Sequence, residues 1–417
     1  MNIYKIAKRN IWRNKKRTLI TSGSVFIALL LAIFMYSIQR GAYAQIVDDT
    51  IGSITGYLQI QNSNYQDDPT LDNSIAYTDN LFHMLKDVNG IKTISPKIES
   101  AGIISLKTKS KAVVIFGVDP FMEKPLSPTS KSIKGRTLTK DDNSVLISEK
   151  LAEYLKIKIG DTIVLVSTGY HGVSAANLFP ICGTIKISSL EMNNKTIYMS
   201  IKNAQEFFSL KNKVSYLAID VFNPKELSTI TENVELVLNR VQDSNIKKSS
   251  TIYQRYVVKN WRTLAPELVK SIKADLEGAK IMMGILYFVL FFGILGTMMM
   301  MIDERKKEFI VLMVVGMSKF KICLSLVIEI LIIWLISVLA AYAVGIPLIL
   351  YFTEYPITFT GSLAEIYESM GFNPIMPASG MGPYMWQEAL KVLSLFIMAS
   401  IIPIMKVKKW TFENMQS

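Results

Sequence analysis

The chain has 417 residues, half of them hydrophobic and 19% charged, with 46 Lys and Arg against 34 Asp and Glu for a net charge of +12. Two Cys, 14 Pro and 22 Gly exclude a disulfide scaffold, a collagen-like chain and a disordered one. The hydrophobic residues gather in a few long runs between stretches of ordinary polar sequence, the pattern of a membrane protein with a large water-soluble part.

A basic segment, 1–17, opens the chain with seven bases (Lys5, Lys8, Arg9, Arg13, Lys15, Lys16, Arg17) and no acid. The charge-free run 18–38 follows. Crossing about 30 Å of hydrocarbon takes about 20 apolar residues, so this run qualifies as a first span. It is longer than the apolar core of a cleavable signal peptide, about 7–15 residues, so an uncleaved span is expected despite Ala42-Tyr43-Ala44.

Residues 39–278 read as one mixed α+β domain. Short apolar stretches predict strands at Val113–Val118, Ser144–Ile147, Thr162–Val166, Ile197–Ser200 and Tyr216–Val221. Helices are expected at Asp79–Lys86, Glu149–Leu155, Lys202–Phe208 and Pro224–Val241, with a turn at Gly160-Asp161. Leu264, Leu268, Ile272 and Leu276 recur every four residues, one face of a helix. With a helix over Gln39–Thr50 it would form a stalk; packing against its own domain explains the stripe equally well.

Three more spans are expected at 279–302, 322–352 and 389–405, the third span holding a single charge, Glu329. Between them lie a short segment, 303–321, and a longer one, 353–388, with no Lys or Arg but four Glu (Glu354, Glu365, Glu368, Glu388). A basic tail, 406–417, ends the sequence. The segments 1–17, 303–321 and 406–417 together hold 15 bases and 4 acids, almost the whole positive excess. Nucleic acid does not explain bases confined to the flanks of apolar runs; the positive-inside rule does. The expected architecture is four transmembrane helices with both termini cytoplasmic and a large extracytoplasmic α+β domain between the first and second spans.

No motif for chemistry accompanies this architecture. The sequence has no G-x-x-x-x-G-K-[ST] phosphate loop, no H-E-x-x-H and no G-x-S-x-G. His83 and His171 are the only His, and His171 is expected in an exposed loop. Asp67-Asp68 and Asp141-Asp142 suit solvated turns, Met298–Met301 suits adaptable packing, and Cys182 and Cys323 read as buried small hydrophobes. No catalytic residue, metal site or cofactor is therefore expected in this chain.

The most specific stretch is 303–319, where charges at Asp303 to Glu308 precede apolar Phe309, Leu312, Met313 and Val315. It suits a short helix along the membrane surface, capped by Gly316. Arg305 and Glu308 lie three apart and would share a face, where they pair weakly or meet a partner. The stretch resembles the R-x-x-E…G-[AM]-[ST]-[KR] signature of the MacB/FtsX-like ABC-transporter permeases, matched by Arg305, Glu308, Gly316, Met317, Ser318 and Lys319, with Glu329 where that family often has a Glu. Ile115-Phe116-Gly117-Val118-Asp119-Pro120, Gly135-Arg136, Val145–Glu149, Ile159–Thr162, Ile181–Thr184, Lys195–Met199 and Asn203–Gln205 resemble the family's outer-domain motifs in the same order. Length and the size of the outer domain are most similar to LolC/LolE, the permeases of the lipoprotein-releasing system.

The resemblance implies a bacterial inner-membrane protein whose outer domain is a MacB-like periplasmic core. It implies pairing with a second permease, identical or not, and a separate ATPase subunit that holds ATP and Mg. The helix at 303–318 would be the coupling helix, with Arg305, Glu308, Gly316, Met317 and Lys319 meeting the ATPase. Work would pass to the outer domain by mechanotransmission. The cargo would be lipoprotein drawn from membrane lipid and handed to a periplasmic carrier, hooked by a loop at Thr168–Pro180 that carries Tyr170, Leu178 and Phe179. MacB-like export of peptides or small molecules and FtsX-like regulation of cell-wall hydrolases share the same features. A membrane-anchored binding module is disfavoured because an anchor needs one span.

Overall fold

The computed structural model describes residues 3–13, 15–52, 55–122, 133–187, 190–247, 255–370 and 373–409. Met1, Asn2 and Asn14 of the basic N-terminal segment and 410–417 of the tail lie outside them. The chain divides into two compact units. One comprises Met1–Gln45, Lys270–Thr358 and Ile375–Ser417, and the other Ile46–Val269 and Phe359–Pro374.

The first unit holds four helices long and apolar enough to cross a membrane: Lys15–Val47, Pro266–Glu304, Lys319–Glu354 and Tyr384–Lys408. Each is longer than the apolar run within it, because the flanking polar residues continue the helix. The second span, of 39 residues, measures about 58 Å, roughly twice the hydrocarbon thickness. The Leu264 stripe thus divides between a short helix, Trp261–Leu264, and the start of this long one.

Contacts between the spans fix their directions. Ser22 and Ile33 of the first meet Ser337 and Gly345 of the third, so these two run parallel. Tyr43 and Arg17 of the first meet Asp275 and Glu304 of the second, so those two are antiparallel. In the third and fourth, Trp334 Nε1 donates to the Ala389 carbonyl at 3.1 Å and Tyr342 Oη to that of Met385 at 2.8 Å, again antiparallel. Tyr287 and Asp303 of the second meet Glu388 and Lys406 of the fourth, a parallel pair. The four helices alternate in direction, as successive crossings must.

Close packing depends on glycine at two places. A Cβ on Gly345 would sit 2.6 Å from Ile33 Cδ1, and one on Gly41 would overlap the Pro377 carbonyl. At Gly345 the small residue lets two helices approach without a side chain between them, and at Gly41 it admits the non-helical segment at Pro377. Glu388 belongs to the fourth span, not to a solvated connecting segment, and Lys391 follows it in the same helix.

The second unit is built on a ten-stranded sheet. Its strands, with two short ones that pair separately, are β1 (Leu58–Asn62), β2 (Ile75–Ala76), β3 (Ile91–Leu106), β4 (Lys109–Val118), β5 (Ile133–Gly135), β6 (Val145–Ser148), β7 (Thr162–Thr168), β8 (Ser174–Ile185), β9 (Thr196–Ser200), β10 (Lys213–Val214), β11 (Tyr216–Val221) and β12 (Tyr256–Asn260). The order is β12-β1-β11-β3-β4-β9-β6-β8-β5, with β7 bridging β3 and β8, while β2 pairs with β10. Pairing is antiparallel except for β4 with β9 and β6 with β8. Buried strands such as β6, β9 and β11 show no polar alternation because both faces are covered. The helices expected over Asp79–Lys86 and Glu149–Leu155 form over those residues, the first capped by the Thr78 hydroxyl.

The stretch Thr168–Pro180 is not a loop. Apart from a single tight turn at Tyr170–Gly172 it is the β7–β8 hairpin, paired from Thr162–Pro180 to Thr168–Ser174.

Candidate functional site

Arg305 separates the second span from a short helix, Lys306–Val314, and its own backbone is not helical (φ −100°, ψ 8°). The break turns its side chain inward. Only 4% of that side chain is exposed, and its Nη1 donates to both carboxylate oxygens of Glu329 at 2.8 and 3.2 Å. Nε donates to Glu308 Oε2 at 3.3 Å, and the guanidinium lies 4.7 Å from the centroid of the buried Phe309 ring. A buried guanidinium is stable in such a place because two carboxylates and a π-face replace its water.

Around this centre stand further pairs. Arg13 of the N-terminal helix Ile3–Arg13 donates to Glu308, and Arg17 at the start of the first span donates to Glu304. Lys406 of the fourth span reaches Asp303 at 2.6 Å, and Lys319 Nζ reaches the Lys408 carbonyl at 3.4 Å. Partial burial raises the Glu308 carboxyl, but the bond and charge of Arg13 and the charge of Arg305 outweigh it and hold the group below the usual carboxylate range. At this basic end the short helix is tied through Glu308 to Arg13 and Arg305, while Arg305–Glu329, Arg17–Glu304 and Lys406–Asp303 tie the second span to the third, first and fourth.

The helix stops at a glycine. Gly316 has φ +98°, its N–H donates to the Met313 carbonyl at 3.0 Å and that of Met317 to the Leu312 carbonyl at 2.9 Å. This is a Schellman ending, which needs a left-handed residue at that position. Met317 is buried, while Ser318 and Lys319 are exposed.

Of the residues expected to meet a partner, Arg305 is an internal tie and Met317 is buried. Glu308, 43% exposed, and Lys319 remain on the surface. Sequence reasoning missed Arg13, Arg17 and Phe309 as members of the cluster. The signal available was the four-residue spacing of Arg13 and Arg17 facing an equal number of acids at Glu304 and Glu308.

A second buried charge lies at the other end of the spans. Glu388, 1% exposed, accepts from the Tyr287 hydroxyl and from Lys391 Nζ at 2.6 Å. Lys391 also lies 5.2 Å from the Tyr36 ring centroid. Of these residues the sequence singled out only Glu388, and as an acid of the connecting segment 353–388.

In the other unit, Phe179 is 1% exposed and packs edge-on to Phe207 at 5.3 Å, so its expected role as a projecting residue is corrected. Tyr170 is held at the turn by Lys213, which donates to its hydroxyl and lies 4.1 Å from its ring centroid. Leu178, 61% exposed, does project, opposite Val164. With Val166 and, opposite that, Ile103, they form an exposed apolar strip on β8, β7 and β3. Cys182 and Cys323 are buried and free. His171 is exposed, its backbone N–H donating to Asp72 at 2.7 Å.

Residues 18–236 match the family model of the MacB-like periplasmic core domain, and residues 280–411 that of the FtsX-like permease C-terminal region. Among solved structures, the extracellular domain of the ABC-type transporter YknZ from Gram-positive bacteria is 16% identical, covering 49% of this chain and 99% of that one at a TM-score of 0.33. The periplasmic region of MacB from Actinobacillus actinomycetemcomitans is 14% identical, over 54% and 98%, at 0.35. A domain of a putative permease from Porphyromonas gingivalis is 12% identical, over 49% and 88%, at 0.30. At these scores the three structural likenesses carry no weight. The first family model alone spans more than half of the chain, the second takes up the spans that carry the Arg305 cluster, and so the chain belongs to the MacB/FtsX-like ABC-transporter permeases.

Proposed function

We propose that this permease couples a separate ATP-binding subunit to its large inserted domain by mechanotransmission, and that its cargo is lipoprotein released from the inner membrane, as for LolC/LolE. The observation that carries the coupling is the Arg305 cluster. A push on the Lys306–Val314 helix has a direct route into the third span, through Arg305 to Glu329, and into the N-terminal helix, through Glu308 to Arg13. Glu308 and Lys319 are the exposed residues on which the partner acts. The bases at this end favour its lying in the cytoplasm, with the inserted domain in the periplasm. The chain supplies no nucleotide site of its own, and ATP and Mg stay with the partner. The strip of Ile103, Val164, Val166 and Leu178 supports an acylated cargo or its carrier, because it offers apolar surface where the domain could otherwise be polar.

The test is reconstitution of the full chain with its ATP-binding subunit and an acylated protein in vesicles. ATP should release the acylated protein, and the chain without the subunit should hydrolyse none. Glu308→Lys should leave the chain inserted while abolishing both release and the stimulated ATPase. Full stimulation by that variant would reduce the helix to a connector. Stimulation without release of the acylated protein would remove the lipoprotein assignment and leave MacB-like export.

A further inference from the structure

The basic end contains a cavity beside the Arg305 cluster, with Arg13, Arg17 and Glu304 common to both. Its volume is about 420 Å³, within the usual range for ligand sites, and Trp12, Arg13, Lys15, Lys16, Arg17 and Glu304 line it. We propose that it binds the phosphate headgroup of an anionic phospholipid.

Charge is the first argument. Arg17 is matched by Glu304 and Arg13 by Glu308, but Lys15 and Lys16 are exposed and have no carboxylate partner among the described residues. Two positive charges are therefore left facing one cavity. Depth is the second. Arg17 immediately precedes the charge-free run 18–38, which places it within about 5 Å, one helical turn, of the hydrocarbon edge. A cavity at that level meets lipid headgroups.

The side chains around it fit that level. Trp12 is 64% exposed with Lys15 Nζ 5.4 Å from its ring centroid, and an indole beside bases is the usual residue of the membrane–water boundary. Leu19 and Ile20, 73% and 65% exposed, follow at once on the same helix and would meet acyl chains. The amphipathic helix Ile3–Arg13, packed on the third span, supplies one wall. An acidic surface on the ATP-binding subunit would satisfy the two lysines too. Leu19 and Ile20, the next residues of the span, set the two lysines against the bilayer, where a lipid satisfies lysines, indole and apolar residues together. The site depends on the spans and not on the cargo or on how the permease is driven.

Native mass spectrometry of the detergent-solubilised full chain tests this with phosphatidylglycerol, phosphatidylcholine and inorganic phosphate as probes. Phosphatidylglycerol should be retained in preference to phosphatidylcholine. K15Q/K16Q should weaken it about thirtyfold, about fivefold for each base lost at a membrane surface, and K15R/K16R should restore it. Undiminished binding by K15Q/K16Q would overturn the proposal. So would full displacement by an equal concentration of inorganic phosphate, which would make this a free-anion site. A K15Q/K16Q chain that keeps its lipid but no longer holds the ATP-binding subunit would overturn it as well, by assigning the lysines to a protein contact.

Discussion

The two ends of the membrane unit handle a buried charge differently. Glu388 and Lys406, near opposite ends of the fourth span, are 18 residues apart, or about 27 Å. At the basic end the buried group is a guanidinium, shared between Glu329 and Glu308, with five more charged residues (Arg13, Arg17, Asp303, Glu304 and Lys406) paired around it. At the other end it is a carboxylate, served by one tyrosine hydroxyl and by a lysine that stays 47% exposed. Arg305 binds helices that the chain separates by a break; Glu388 joins helices that are otherwise continuous. A planar donor with several N–H groups suits a junction, and a carboxylate with one partner on each oxygen suits a seam.

Removing the centre of each arrangement should expose the difference. Arg305→Ala leaves the Glu329 carboxylate buried without the cation hydrogen-bonded to it, which costs about 3–5 kcal/mol. Thermal unfolding of the solubilised full chain should show it as the largest loss of the series. R305M/E329L, which removes both charges, should recover most of that loss; a double variant no better than the single would mean that the pair is not the source. Glu388→Gln should cost about 1–2 kcal/mol, because Tyr287 keeps an acceptor and Lys391 can turn to water. Should it destabilise more than Arg305→Ala, the ranking of the two ends would be reversed. Gly316→Val should cost about 1 kcal/mol through the left-handed backbone alone, since no atom stands within 4 Å of a Cβ there. Gly316→Asn should cost less, and equal melting of both variants and the parent would show that the turn does not depend on glycine.

Much of the architecture was legible because it rests on local signals. A charge-free run of about 20 residues declares a span wherever it occurs. Short apolar strands such as Tyr216–Val221 declare themselves by β-branched and aromatic content. The long strand β3 did not, because Pro96, Gly102 and several Ser interrupt it. Gly102 is there for packing: a Cβ would lie 2.8 Å from Ile115 Cδ1 and 3.0 Å from the Val166 carbonyl oxygen, where β4 and β7 flank the strand. The β7–β8 hairpin read as a loop because small and polar residues around Gly169 and Gly172 mimic one, while its register is set by pairing across the sheet. The site was legible as a motif but not as a geometry. A charge at the end of a span reads as solvated, and nothing local to Arg305 reveals that Glu329, a full 24 positions on, faces it. Glu388 was misplaced for the opposite reason: acids beside a span look like loop residues until the helix is seen to include them.

The Arg305–Glu329 tie also bears on how the protein is made. At a synthesis rate of about 5–20 residues per second, Arg305 leaves the ribosome roughly 1–5 seconds before Glu329 does. An ionised side chain carried alone into the hydrocarbon by a single helix raises the free energy of insertion by up to about 3 kcal/mol. The guanidinium can offset that only if it is already at the membrane surface when the third span arrives. Insertion therefore favours a helical hairpin, second and third spans entering side by side with their charges joined, over one helix at a time.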